Sequence, residues 1–310
     1  MAQVVRTKIP PSGANARVLE HSSYDFRALA QTTGNIWFVD SNAASGGNGK
    51  SPEGAVTTTD AAINLCSAGD TILVMEGHAE TLAAAAAVAQ DVAGVKIIGL
   101  GVGARRPTYS FSATDSTWTI AGASTLVKNI RVKSTVNELV KFFSVTGANV
   151  TLDAVDVVDG GSAKEAIQFC LTTADADDLC IQNCYHVQAT AAASTMRWIY
   201  LVGTTGARIL NNTFILKLAD NATDAVVSAD GDTRLTEIRG NRMHVTGYTA
   251  GLVSVVIGAS GATGIHTDGR YYCDTTITTT INDCPSMASF EVYCSNDLDK
   301  NGILDPVVGS

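Results

Sequence analysis

The sequence predicts an all-β protein wound as a parallel β-helix of about seven coils, and three observations carry that expectation. A short apolar run with a polar residue at a bend recurs at 126–132, 150–157, 181–187, 209–216 and 238–245, and in degraded form at 265–273, at intervals of about 25–30 residues; self-similarity at such a period marks stacked or radial repeats. Within the runs apolar side chains alternate: Val155 and Val157, Tyr185 and Val187, Phe214 and Leu216, Met243 and Val245. Alternation puts those residues on one face of a strand and the residues between them, Arg131, Asp156, His186, Ile215, His244 and Tyr272, on the other. No helical pattern of 10–15 residues separates the runs, which excludes βαβ units, and the spacing is too short for the ~40–45-residue blades of a propeller.

Composition supports thin, regular stacking. The 310 residues are 45% hydrophobic, 16% charged and only 6% aromatic, an apolar content that is too high for a disordered chain. The net charge of −9 argues against nucleic acid as a partner, since binding it requires a basic face. No run reaches the ~18 apolar residues of a membrane span, and Met1 to Asn15 lacks the apolar core of a secretory signal.

In chain order, residues 1–35 read as an extended arm with Arg6, Lys8, Arg17 and Arg27 against Glu20 and Asp25, opposite in sign to the whole. It is either a loose terminus or a segment that docks on an acidic partner or sister subunit. Residues 36–40 read as a strand, 57–66 as a short helix capped by one of Thr57, Thr58 and Thr59, and 71–75 as a second strand. Together they form a strand-plus-helix cap, needed because an uncovered end coil exposes apolar side chains and unpaired strand edges. The Ala-rich stretch 82–89 is either a helical turn pair or the small-residue side of a first coil, so cap and first coil occupy 36–94. From 95 to 273 each coil reads as two strand runs, with Asn183, Asn212 and Asn241 at matching bends, where Asn tolerates left-handed backbone. Residues 274–310 hold a last strand and an acidic tail.

Chemistry is thinly marked. Asp297, Asp299, Asn301 and Asp305 fall at positions 1, 3, 5 and 9 of a calcium-loop pattern with Gly302 at 6, but position 12 is Val308, so this is either a partial Ca²⁺ site or an ordinary Asp/Asn/Gly turn; no other cofactor is expected. His186 and His244, with Asp156, read as one outward column. His78 and Glu80 follow the first long strand. Asp175, Asp177 and Asp178 form the densest acidic group, the type of cluster with which a glycan-cleaving β-helix would work. The seven cysteines contain no CxxC pair, which argues against zinc; most read as small buried hydrophobes, with Cys273, Cys284 and Cys294 closest to pairing.

The segments Ile36-Trp37-Phe38-Val39-Asp40, Gly47-Asn48-Gly49-Lys50-Ser51-Pro52, Ala68-Gly69-Asp70-Thr71-Ile72-Leu73-Val74 and Gly77-His78-Ala79-Glu80-Thr81 resemble the opening of right-handed parallel β-helix virion proteins of tailed bacteriophages, as does 91–101. The resemblance covers 36–111; over 112–273 only the rung pattern matches. It implies right-handed winding and a place on the phage particle, assembled in the host cytoplasm, and carries no catalytic residue across. The expectation that follows is a non-enzymatic capsid decoration protein, a homotrimer bound to the major capsid protein on the virion surface through its basic arm. The alternative is a tail-associated spike that binds or cleaves host surface polysaccharide.

Overall fold

The computed structural model describes residues 34–188, 194–217, 224–246, 255–273, 282–283, 286–290 and 292–294. Its strands form three parallel sheets of ten, nine and eight strands. The first sheet starts at Ile36–Val39 and Thr71–Val74, the second at Ala79–Leu82 and the third at Val88–Gln90. The chain visits first, second and third sheet in turn, and each strand pairs with its counterpart one coil later, as in Leu152 with Ile181 and Ile181 with Ile209. The fold is a parallel β-solenoid with almost no helix, consistent with the right-handed winding that parallel crossovers adopt.

Each coil has three strands, not two runs. What reads in sequence as one long run is two strands meeting at a sharp bend. The bend needs one residue in the left-handed region: Asn129, Ala154, Asn183, Asn211, Gly240 and Asp268 have φ between 51° and 66°. The polar side chain or missing Cβ at most of these positions lowers the cost of that conformation. Asn183 therefore matches Asn211, while Asn212 and Asn241 stand one position later, in register with Cys184. That second position faces inward. Asn212 and Asn241 are buried and bridge coils: the Cys184 N–H donates to Asn212 Oδ1 at 2.9 Å, the Asn212 N–H donates to Asn241 Oδ1 at 2.9 Å, and Asn212 Nδ2 donates to the Ile181 carbonyl at 3.0 Å.

The one-residue offset turns side chains over, because strand faces alternate. His186 pairs in register with Val157 and Phe214, points inward and is only 1% exposed. Tyr185 takes the outward place beside Asp156 and Thr213. The expected outward column of His186 with His244 is thus corrected; Arg131, Asp156, Ile215, His244 and Tyr272 do line the outer face.

The interior is filled by aliphatic ladders and by most of the described aromatic residues. Tyr109, Trp118, Phe143, Phe169, Trp198 and Phe214 succeed one another along the axis with ring centroids 4.9–6.2 Å apart. His186 stacks on Trp198 at 4.6 Å.

The cap covers the first coil. Helix Thr59–Ile63 is capped by Thr58 and sets Ala62 and Ile63 into the core. Asp70 ties the entering strand down, accepting from Trp37 Nε1 at 2.8 Å, Asn35 N–H at 2.6 Å and Ser67 N–H at 2.9 Å. Burial alone would raise its carboxyl pKa, but these donors outweigh it and hold the group below the usual carboxylate range. The Ala-rich stretch resolves as part of the first coil, split between the second and third sheets.

Candidate functional site

The outer face of the second sheet brings together the side chains with the most chemistry. One outward column runs Thr108, Arg131, Asp156, Tyr185, Thr213, Arg242, Arg270. The neighbouring column runs Ser110, Lys133, Val158, Val187, Ile215, His244, Tyr272. Strand pairing sets successive members about 4.8 Å apart.

The face is banded. At one end Arg131 grips Asp156 through two N–H groups at 2.9 and 2.7 Å, with Arg106 a further 3.7 Å from the same oxygen. In the middle Val158, Val187 and Ile215 stack beside Tyr185, which is 47% exposed. At the other end, adjacent strands place Arg242 and His244 next to Arg270 and Tyr272 in a two-by-two block. The Arg242 guanidinium lies 5.5 Å from the Tyr272 ring centroid, and the His244 ring meets Tyr272 edge-on at 6.1 Å. Tyr272 is 40% exposed. On a chain with net charge −9 the outward residues of this sheet carry Arg131, Lys133, Lys217, Arg242 and Arg270 against Asp156 alone among the described residues. Such a face attracts anionic groups, and exposed rings with aliphatic neighbours accept the apolar faces of sugars.

The remaining candidates fall elsewhere. His78 and Glu80 lock the cap: the Ser41 N–H donates to His78 Nδ1 at 2.9 Å, which places the ring proton on Nε2, 3.2 Å from Glu80 Oε2, and Glu80 also accepts from the Thr59 N–H at 2.9 Å. Asp175, Asp177 and Asp178 lie in a turn between the third and first sheets, away from the banded face. Asp177 accepts the Thr205 N–H at 2.7 Å, and Asp178 has φ of 56°. They build the turn rather than a cleft. His186 gives its Nδ1 proton to the Val157 carbonyl at 3.0 Å, and burial lowers its pKa to about 4, so at neutral pH it is an uncharged part of the core.

Cys170, Cys180 and Cys184 are free and buried, and Cys66 is free and half-buried. Burial pushes the Cys66 and Cys184 thiols up to about 12 and raises Cys170 and Cys180, which removes them as nucleophiles at neutral pH. Pairing of Cys273, Cys284 and Cys294, the arm residues Arg6, Lys8, Arg17 and Arg27, and the calcium-like turn of Asp297, Asp299, Asn301 and Asp305 lie outside what the structure describes. Among the described residues no group of three or more His, Cys, Asp or Glu side chains is placed to hold a metal, and no helix is long and apolar enough to cross a membrane.

Sequence reasoning named Arg131, Asp156, His244 and Tyr272 but missed Tyr185, Arg242 and Arg270. The signal was available: these three each stand two residues after the left-handed bend residue, at Asn183, Gly240 and Asp268, as Arg131 does after Asn129.

No protein-family description and no curated protein matches the chain. Among solved structures, the fold is similar to that of a rhamnogalacturonan lyase, with a TM-score of 0.55 and 10% sequence identity over 79% of this chain and 69% of the other. This overturns the expectation that the chain is not an enzyme, which leaned on the absence of an assembled site in a β-helix: a solved β-helix that it resembles is a lyase. The chain is a parallel β-solenoid with a distant structural neighbour among the polysaccharide lyases, and nothing in the comparisons places it on a phage particle.

Proposed function

We propose that the protein acts on an anionic surface polysaccharide laid along the outer face of its second sheet. The observation that carries this is the block of Arg242, His244, Arg270 and Tyr272 on adjacent strands, continued by the apolar lane past Tyr185. A coil rise of about 4.8 Å is close to the length of one sugar unit in an extended chain, so a glycan parallel to the axis meets an equivalent pair of side chains at each unit.

The block favours elimination over hydrolysis. Glycoside hydrolysis relies on two carboxyl groups facing one bond; the described outward residues of this sheet supply only Asp156, already held by Arg131. Elimination from a uronate needs a cation to draw charge into the carboxylate, a base for the adjacent C–H and an acid for the leaving oxygen. Arg242 and Arg270 fit the first role, the His244 imidazole the second and the Tyr272 hydroxyl the third. His244 takes the proton from carbon, the C–H electron pair becomes the new C=C bond, the C–O bond breaks, and Tyr272 gives its proton to the departing oxygen; return of the proton from His244 to Tyr272 through solvent restores both groups, with no change of oxidation state overall.

The test is binding and cleavage of a uronic-acid polymer and a neutral glucan by the full chain. The expected result is salt-sensitive binding of the uronate polymer, release of unsaturated ends, and at least a tenfold loss of binding in Arg242→Ala/Arg270→Ala at unchanged melting temperature. Equal affinity for both polymers, or binding unaffected by the double substitution, refutes the proposal. Set beside the resemblance of residues 36–111 to virion β-helices, the reading favours a tail spike over a capsid decoration, and a copy count on purified particles, few on the tail or many on the head, tests that part.

A further inference from the structure

The cations of the banded face are unevenly spaced along the axis. In one lane Lys133 is followed by Val158, Val187 and Ile215 before Arg242 and His244 arrive on the next strand. Four strand spacings separate Lys133 from Arg242, or about 19 Å at about 4.8 Å each. Arg131, beside Lys133, adds little, because its N–H contacts at 2.9 and 2.7 Å go to Asp156. Across the interval the second column supplies Asp156 under that grip, Tyr185 and Thr213, none of them cationic. Lys217, one outward position beyond Ile215, is the only outward cation on the three intervening strands among the described residues. The lane is open: Val187 is 42% and Tyr185 47% exposed, with Val158 and Ile215 half-buried on either side.

We infer that the glycan this face takes is sparsely charged: its uronates recur at about every fourth sugar unit, and the neutral units between them carry O-acyl groups that pack on Val158, Val187 and Ile215. This rests on the reading of the face as a glycan site and narrows it. A glycan parallel to the axis sets about one unit on each strand. A polymer charged at every unit would hold carboxylates over Val158 and Val187, removing their water with no cation in its place, which opposes binding; Lys217 meets only the unit on its own strand. Neutral sugars escape that penalty, and the Tyr185 ring offers its face to pyranose C–H groups. Val and Ile side chains have neither a ring face nor a hydrogen-bonding group. They gain only by removing apolar surface from water, and an acyl group presents such surface where a hydroxyl-bearing sugar edge does not. One uronate then meets Lys133 and the next meets Arg242 and Arg270. The lane sets the register of the chain, because a uronate reaches His244 with every carboxylate matched only when acylated neutral units lie on the strands before it.

Affinity electrophoresis of the full chain through three dilute polymers at fixed low salt tests this: native gellan, an O-acylated glycan with a single glucuronate in each tetrasaccharide repeat; the same polymer de-acylated by alkali; and polygalacturonate, charged at every unit. Native gellan should bind about fivefold or more tighter than either of the others, the scale set by burying one acyl methyl group, while polygalacturonate keeps weaker, salt-sensitive binding. Val187→Thr, nearly isosteric, should lose most of the preference for the acylated polymer. Val187→Lys should raise the affinity for polygalacturonate about threefold, as an added exposed ion pair allows; melting temperatures identify folded variants, and either one suffices if the other fails to fold. Equal binding of native and de-acylated gellan, tighter binding of polygalacturonate than of native gellan, or an unchanged acyl preference in folded Val187→Thr each overturn the inference and leave the glycan site standing. Binding of none of the three polymers overturns the site itself, and this inference with it.

Discussion

Replacing Asn212 by Ala tests the register of the coils more sharply than any other single change. The Asn212 side chain accepts from the Cys184 N–H at 2.9 Å and donates to the Ile181 carbonyl and to Asn241 Oδ1, each at 3.0 Å, in a position that is almost fully buried. Alanine leaves the Cys184 donor and the Ile181 acceptor without these side-chain partners and without water in reach. An orphaned buried polar group costs about 1–3 kcal/mol, so the substitution should cost about 2–5 kcal/mol. Asn211, one residue earlier, is exposed and holds φ at 55°; Asn211→Ala should cost about 1 kcal/mol, the penalty of a left-handed alanine, and Asn211→Gly nothing measurable. Ala154 already occupies the equivalent bend with φ of 55°, which shows that alanine is accommodated there. Urea unfolding followed by circular dichroism reads the three variants against the parent. If Asn211→Ala proves the more costly, or Asn212→Ala stays within 0.5 kcal/mol of the parent by the usual measure of a neutral surface change, the assignment of the inward position is wrong. Because Asn212 and Asn241 share a hydrogen bond, the pair of alanine substitutions should cost less than the sum of the two.

Two further outcomes follow from buried groups. Burial lowers the pKa of both His186 and His266 from 6.5 to about 4. The folded state thus favours their neutral forms: stability is full above pH 6.5 and falls as pH drops from there toward 4, by about 3 kcal/mol per histidine. The melting temperature should fall steeply over that window, and His186→Phe should remove about half of the drop; a flat profile between pH 7 and 4.5 contradicts the burial. At Gly99, an added Cβ would stand 2.2 Å from the Asn129 carbonyl oxygen of the next coil, so Gly99→Ala should cost about 1–3 kcal/mol from forced displacement of a packed coil, and an unchanged urea midpoint would show that the coils are further apart there.

The amino-acid sequence by itself determined the architecture. Its repeat length, its alternation and its lack of long helical segments are local properties of the chain, and each excludes a fold class without reference to any contact. The cap was legible for the same reason: Thr58 before Ala62 and Ile63, and the strand that follows, are readable within a dozen residues. What the tertiary structure decided is the face on which each side chain stands. Aligning the bends by Asn183, Asn212 and Asn241 gave His186 the wrong face, since a period of two converts a one-residue error into a full inversion. The bend is set by the left-handed residue, which is Asn in three coils, Ala, Gly and Asp in the others, and no residue type marks it uniquely. The banded face depends on that offset: Tyr185, Arg242 and Arg270 lie 28 or more residues apart in sequence and meet only because the stacked coils bring every outward position of one strand beside its counterpart on the next.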